Sequence, residues 1–513
     1  MNLWKMMSGE AHRAPGMVAS DQRVPDSAGR GKPEPGIAGG EEVAPVGSEK
    51  DQRGPGIGEG ETGQPGSLSA ADEMPRVSLA AQPERCLIRP NGSYRHIAFR
   101  IVVGRQPSQA TNGRLPVTLG LVIDRSGSMA GDHKMDTAKK SALAVLERLQ
   151  ERDRVAVVIF DDKIDLLQAI APATSDIKAR VRESLSRIEA RGSTALHEGW
   201  LTGCQAIAAD SSPESARGLS RLFLLTDGLA NVGLTDPERI ASEAAGVREN
   251  ARIGTSTFGI GPDYAEGLLG PMAVAGGGQF HHLRDAGDIA SAFIGELGEL
   301  LAVAAGNVRL EVEVGKDVGI EVVSAYWLSG PQDPSRRTLA VGDLMADEER
   351  PVVVRFGFPE LGRLESQEVR ARAAWVQDGV ERRTEWQGVR FTYASHQACD
   401  AEQRDPAVMR WVGVHHAERA KREATERNQR GDFTGARRRL QSVARHIEQY
   451  AGDDQVLCEA VQELSELEPE MACQMSPMDS KEMTFQSQRI SRGQRDLRRP
   501  PSEPPGDPSD EKK

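Results

Sequence analysis

Between residues 116 and 305 short apolar runs alternate with stretches of helical periodicity, and this alternation restricts the fold more than any other feature of the chain. The runs are "VTLGLVID" (117–124), "RVAVVIF" (154–160), "RLFLLTD" (221–227), "RIGTSTFGIG" (252–261) and "GQFHHL" (278–283). Between the first two lies "KMDTAKKSALAVLERLQ", where Met135, Ala138, Ala142, Val145, Leu146 and Leu149 fall at three- and four-residue steps and form one apolar stripe. Strands that are apolar on both faces need cover on both faces, and intervening helices supply it. The pattern predicts a doubly wound, Rossmann-like, mostly parallel α/β domain over residues 115–305.

The rhythm changes on either side, so the chain reads as multidomain. Residues 306–395 carry runs such as "NVRLEVEVG", "RPVVVRFGFPE" and "QEVRARAAWVQ" with period-two alternation, which predicts an antiparallel β-sandwich. Strand-like runs in 81–114, "RCLIRP" and "YRHIAFRIVVG", are expected to pair into that sandwich. Residues 404–468 turn helical, and Gly431 and Asp432 sit where one helix stops and the next is capped, giving a C-terminal helical hairpin with a third helix. The termini, 1–80 and 469–513, are expected to be disordered. The first is rich in Gly, Pro and charge with almost no aromatic residue, and such a segment buries too little apolar surface to offset its chain entropy.

A net charge of −12 argues against a general grip on nucleic acid. No apolar run approaches the roughly 20 residues that span a bilayer, and no continuous apolar h-region opens the chain. The five cysteines are far apart and form no CxxC pair, so reduced thiols in a cytoplasmic protein are expected.

Three loops of the α/β region carry oxygen. "LVIDRSGSMAG" (121–131) places Asp124, Ser126 and Ser128 at alternate positions; alone, this is ordinary turn chemistry. "ARGSTALHEG" places Thr194 before a helix, and "FLLTDGLANVG" places Asp227 at a strand end. Doubly wound sheets bind ligands at the carboxyl ends of their strands, so the five residues are expected to share one rim. They supply oxygen and no Cys or His, which suits Mg2+ (or Mn2+/Ca2+) better than zinc or copper.

Together, "DRSGS", the Thr194 of "GST" and the Asp227 of "TDG" resemble the metal-ion-dependent adhesion site of von Willebrand factor type A (VWA) domains, and the strand and helix order is similar to that fold. The resemblance implies that Ser126, Ser128 and Thr194 bind the metal directly and that Asp124 and Asp227 act directly or through water. It further implies a protein partner whose Asp or Glu completes the metal's sphere. Intracellular bacterial VWA proteins are the nearer likeness, which implies a role in assembling or regulating a complex, with a nucleotide-driven assembly machine as a further class of partner. The expected function is divalent-cation-dependent protein binding, not enzymatic.

The alternative is a metal-dependent hydrolase using metal-bound water, with His197 imagined as a base beside Ser126 or Ser128. No G-x-S-x-G elbow supports it. His281–His282 and His415–His416 are adjacent pairs whose side chains diverge, so structural or surface roles are expected. "GIGPDYAEG" lacks the dinucleotide-loop spacing, and the arginines of "GARRRLQSVAR" read as a solvated helix face.

Overall fold

The computed structural model describes residues 77–104, 114–212, 217–329, 335–360, 366–377 and 379–493. Nearly all of the N-terminal stretch expected to be disordered, residues 1–76, lies outside this set, as do residues 494–513 of the expected tail.

The first strands, β1 (Val77–Pro83), β2 (Leu87–Ile88) and β3 (Ser93–Val103), precede the α/β domain. In that domain β4 (Val117–Asp124) is buried along its whole length. It runs through a 3-10 turn, Gly127–Ala130, into helix α1 (Lys134–Arg148), and the expected stripe Met135, Ala138, Ala142, Val145 and Leu146 is the buried face of α1. There follow β5 (Arg154–Phe160), β6 (Ile164–Pro172), α2 (Ser175–Ser186), α3 (Leu196–Ala208), β7 (Leu219–Thr226), α4 (Pro237–Ala251), β8 (Ile253–Ile260), α5 (Glu266–Ala275), β9 (Gly277–Leu283) and α6 (Asp288–Leu301).

The sheet order is β6-β5-β4-β7-β8-β9, and all pairings are parallel except that of β6 on β5. Side chains of β4 alternate between two apolar cores. Leu119, Leu121 and Ile123 face α1, α2 and α6, whereas Val122 packs with Trp200, Leu222 and Leu224 under α3, α4 and α5. The order reverses at β4, which has β5 on one side and β7 on the other, so the topological switch point lies beyond Asp124. The edge strand β6 escaped the sequence reading because its burial is mixed and irregular, with none of the apolar continuity of the inner strands.

Beyond α6 come β10 (Val303–Glu313), β11 (Gly319–Val322), β12 (Trp327–Ser329), β13 (Arg336–Met345), β14 (Glu349–Phe358), β15 (Ser366–Gln377), β16 (Val380–Arg383) and β17 (Gln387–Tyr393). They form a four-stranded sheet, β1-β3-β14-β11, and a seven-stranded one, β12-β13-β10-β15-β17-β2 with β16 on β15. One apolar core containing Phe99, Leu310, Leu339, Phe356 and Phe391 joins the two sheets. Because β3 pairs with β14, chain from both flanks of the α/β domain meets in one sheet.

Helices α7 (His396–Ala401), α8 (Pro406–Gln429), α9 (Phe433–Ala451), α10 (Gln455–Glu470) and α11 (Pro477–Ser491) complete the described chain. Gly431 takes a left-handed φ of 80°, and the Asp432 side chain caps α9 by accepting from the Gly435 amide at 2.9 Å. The helix α11 corrects the reading of 469–513 as a tail. Ser476 caps it, Pro477 occupies its first turn, and Phe485 enters the core of the α/β domain.

His415 lies on α8 with its imidazole wholly buried beside the Ser324 hydroxyl (3.3 Å). Burial pushes its pKa down to about 3, and that of the neighbouring His416 down to about 4, with nearby cations adding to both shifts. Both folded values lie below that of an unfolded histidine, so the unfolded chain takes up these protons first. The stability that the neutral imidazoles supply is therefore complete above pH 6.5 and is lost progressively toward pH 3–4, at about 1.4 kcal/mol per pH unit for each group. Asp124 and Glu299, raised to about 6 chiefly by burial, act in the opposite sense. The expected result is that the wild-type melting temperature falls more steeply from pH 6.5 to 4.5 than that of His415→Gln/His416→Gln, as thermal melts across that range would show.

Candidate metal centre

The turn after β4 is built by hydrogen bonds from its own side chains. Asp124, fully buried, accepts from the Ser126 amide at 2.7 Å through Oδ1 and from the Thr226 hydroxyl at 2.5 Å through Oδ2. The strand end thereby fixes the loop that leaves it, and β7, through Thr226, is tied to β4. The Arg125 amide donates to Phe160 O and that of Gly127 to Gly192 O, which pins the loop to its two neighbours.

Above this base three oxygens meet. Ser126 Oγ lies 3.1 Å from Ser128 Oγ, and the Ser128 hydroxyl donates to Asp227 Oδ1 at 2.6 Å. Thr194 reaches the same spot from the loop before α3. A β-carbon on Gly228 would stand 3.4 Å from both Ser128 Oγ and Thr194 Oγ1, and 4.0 Å from Ser126 Oγ, so all three hydroxyls surround that glycine. The Thr194 amide donates to Asn231 Oδ1 at 2.9 Å, and Asn231 and Val232 donate back to its carbonyl, so the loop after β7 holds the loop before α3.

The structure therefore brings Ser126, Ser128, Thr194 and Asp227 together, with Asp124 one layer deeper. The sequence reading omitted three residues that organise them. Thr226 occupies one oxygen of Asp124, Asn231 sets Thr194, and the Lys134 ammonium sits 2.7 Å from Asp227 Oδ2. Only Thr226 had a visible signal, being a hydroxyl next to Asp227 at the end of an apolar strand.

Ser128 is exposed, whereas Asp124, Ser126, Thr194 and Asp227 are buried, so the cluster opens to solvent on one side only. Burial is the main cause that pushes the Asp124 carboxyl up to about 6; its hydrogen bonds oppose the shift and the charge of Asp227 adds to it. Two carboxylates with one ammonium leave a net negative site, which favours a cation. The geometry also fits a small hard ion. Adjacent oxygens of an octahedron around Mg2+ lie about 2.9 Å apart for metal–oxygen distances near 2.05 Å, close to the 3.1 Å between Ser126 and Ser128. No group of three or more His, Cys, Asp or Glu side chains placed to hold a metal ion occurs among the described residues, so a cation here would rest on hydroxyls as much as on carboxylates.

His197 does not join the cluster. Its Nε2 lies 2.7 Å from Glu243 Oε2 and its ring packs near Trp200, so the imagined pair with Ser126 or Ser128 is not formed. His281 pairs with Glu296 at 3.0 Å.

A doubly wound sheet with an oxygen-bearing crevice at its switch point defines the class, and residues 119–229 match the von Willebrand factor type A domain family. The chain thus contains a VWA domain, a class that generally serves protein–protein interaction. An uncharacterized protein of Synechocystis sp. is 26% identical over 260 residues, covering 48% of this chain and 59% of that protein. The human inter-alpha-trypsin inhibitor heavy chain H4 is 28% identical over 183 residues, covering 34% of this chain and 19% of that one. The chain spans less than two thirds of either relative. Among solved structures, a von Willebrand factor type A protein from Catenulispora acidiphila superimposes with a TM-score of 0.62 at 18% identity, over 82% of this chain and 98% of that one. That extent exceeds the α/β domain, so the likeness of fold includes the flanking sheets or helices as well. No helix among the described residues is long and apolar enough to cross a membrane.

Proposed function

We propose that the cluster of Ser126, Ser128, Thr194 and Asp227, backed by Asp124, holds a divalent cation, and that the chain uses it to bind a carboxylate of a protein partner. The observation that carries this reading is the convergence of three hydroxyls and Asp227 around Gly228. Bound there, Mg2+, or Mn2+ or Ca2+ in its place, would supply a Lewis-acidic position for an outside Asp or Glu. The protein's own groups do the rest. Asp124 fixes the turn, Asn231 fixes Thr194, and Lys134 holds the second oxygen of Asp227, while the exposed side of Ser128 leaves the approach open.

The two flanking sheets read as a sandwich domain and the C-terminal helices as a further module, both built to present the VWA domain within an assembly. A nucleotide-driven machine is one class of assembly that suits it. All five cysteines are free thiols, which supports a cytoplasmic setting. The hydrolase reading is not favoured, because His197, the base it calls on, is engaged with Glu243.

Titration calorimetry tests the metal directly. One ion per chain is expected for Mg2+ and Mn2+, with the heat abolished by prior addition of EDTA. Absence of saturable heat for Mg2+, Mn2+ and Ca2+ alike would sink the proposal.

A further inference from the structure

The oxygen cluster holds a cation that the chain itself supplies. Lys134 is the first residue of α1, and its ammonium lies 2.7 Å from Asp227 Oδ2. The lysine side chain is 13% exposed and that of the aspartate is wholly buried. The first turn of a helix is an unfavourable place for positive charge, because its free amide groups already form the positive end of the helix dipole. The approach to the helix is also uncommon. Asp132 and His133 both take left-handed backbone, with φ of 51° and 56°, a conformation that residues other than glycine seldom adopt. Two unfavourable local choices thus set one ammonium against one carboxylate of the site.

The two oxygens of Asp227 are divided between different neighbours. Oδ1 accepts from the Ser128 hydroxyl at 2.6 Å, within the group of candidate ligands, and Oδ2 faces the ammonium. Asp124 and Asp227 bring two negative charges to the cluster and Lys134 brings one positive charge. With a divalent cation added, the site therefore carries one net positive charge, which a single carboxylate neutralises. Without Lys134 the loaded site would already be neutral, and an incoming carboxylate would leave it negative. The charges farther out do not change this balance. Arg125 and Arg191 are matched by Asp161 and Asp165, and Asp162, exposed beside Gly192, is screened by solvent.

We propose that Lys134 sets the charge of the metal site. It competes with a divalent cation for Asp227, which lowers metal affinity, and it leaves the loaded site with the one positive charge that selects a lone carboxylate on the partner. This inference rests on the metal reading above. It adds that metal and partner bind cooperatively, because the carboxylate removes the excess charge that Lys134 creates. It also narrows the partner to one that presents a single Asp or Glu, since a pair of acidic residues would bring more negative charge than the site can neutralise.

The test is titration calorimetry of the full chain with Mg2+ at pH 8, where Asp124 is ionised. Each titration is repeated with acetate as the carboxylate probe, chloride keeping the ionic strength constant. Free Mg2+ is drawn off by acetate equally for every variant. In wild type, acetate is expected to raise the apparent Mg2+ affinity, because it binds the loaded site. Lys134→Met should bind Mg2+ about tenfold more tightly or better in the absence of acetate, through loss of a nearby like charge. It should also lose most of the gain that acetate gives. A merely structural role for Lys134 would weaken both readings together, so their opposite signs are diagnostic. Lys134→Gln keeps a hydrogen-bond donor but no charge and should follow Lys134→Met, which also provides a reading if the methionine variant fails to fold. Lys134→Arg keeps the charge and should stay near wild type. Mg2+ binding in the folded Met and Gln variants that is no tighter than in wild type, or an undiminished acetate effect, overturns the proposal while the metal site stands. Wild type without saturable Mg2+ heat is a distinct outcome that sinks the metal site and this inference with it.

Discussion

Replacing Ser126 and Ser128 together by alanine is expected to lower Mg2+ affinity by about 100-fold or more while leaving the fold intact. Substituting a single group that only orients a metal ligand already costs 10–100-fold, and this variant removes two of the oxygens themselves. The choice of residues matters. Asp124 occupies the Ser126 amide and the Thr226 hydroxyl in a fully buried position, so Asp124→Ala would strand both partners and confuse lost binding with lost stability. The serine side chains bond to each other and to Asp227, with Ser126 also reaching Asp124, which keeps its bonds to the Ser126 amide and Thr226 when they are gone, as Asp227 keeps Lys134 at 2.7 Å. Calorimetry should therefore show the loss of Mg2+ heat while the unfolding midpoint in urea stays nearly unchanged. If the double variant bound Mg2+ as wild type does, these hydroxyls would not be ligands.

The same contrast shows what a sequence discloses about such a site. Asp124, Ser126 and Ser128 were visible because a strand and its turn lie together in the chain, and Thr194 and Asp227 because they end equivalent loops of a repeating topology. Lys134 was not, since its place depends on how a long side chain folds back across the first turn of α1. The inner strands β4, β5 and β7 were legible from their apolar runs. The edge strand β6 was not, because solvent on one side permits polar residues at irregular positions.

Deleting residues 471–513 is expected to destabilise the protein by more than about 5 kcal/mol, where a free tail would cost nothing. The sequence "PMDSKEMTFQSQRIS" hid its role because α11 is held by polar contacts as much as by an apolar stripe. Phe485 is 5% exposed and packs edge-on against Phe280 of β9, and a void of that size costs about 3–5 kcal/mol. Arg422 of α8 is half-buried and donates through Nη1 to Ser487 O, Ser487 Oγ and Ser491 Oγ, so truncation leaves a guanidinium without these acceptors. Lys481 donates to Tyr264 O at 2.6 Å and pairs with Glu266, fastening α11 to the start of α5. Arg492 donates to Gly278 O at 2.7 Å while its own carbonyl accepts from the Tyr326 hydroxyl, which bridges β9 of the α/β domain to the flanking sheets. Urea unfolding of the truncated chain, with Phe485→Ala as the milder step, measures the loss. Phe485→Ala should show about half of it or more, because its cavity is the largest apolar part. A truncated chain as stable as the full one would mean that α11 does not dock on the α/β domain in solution.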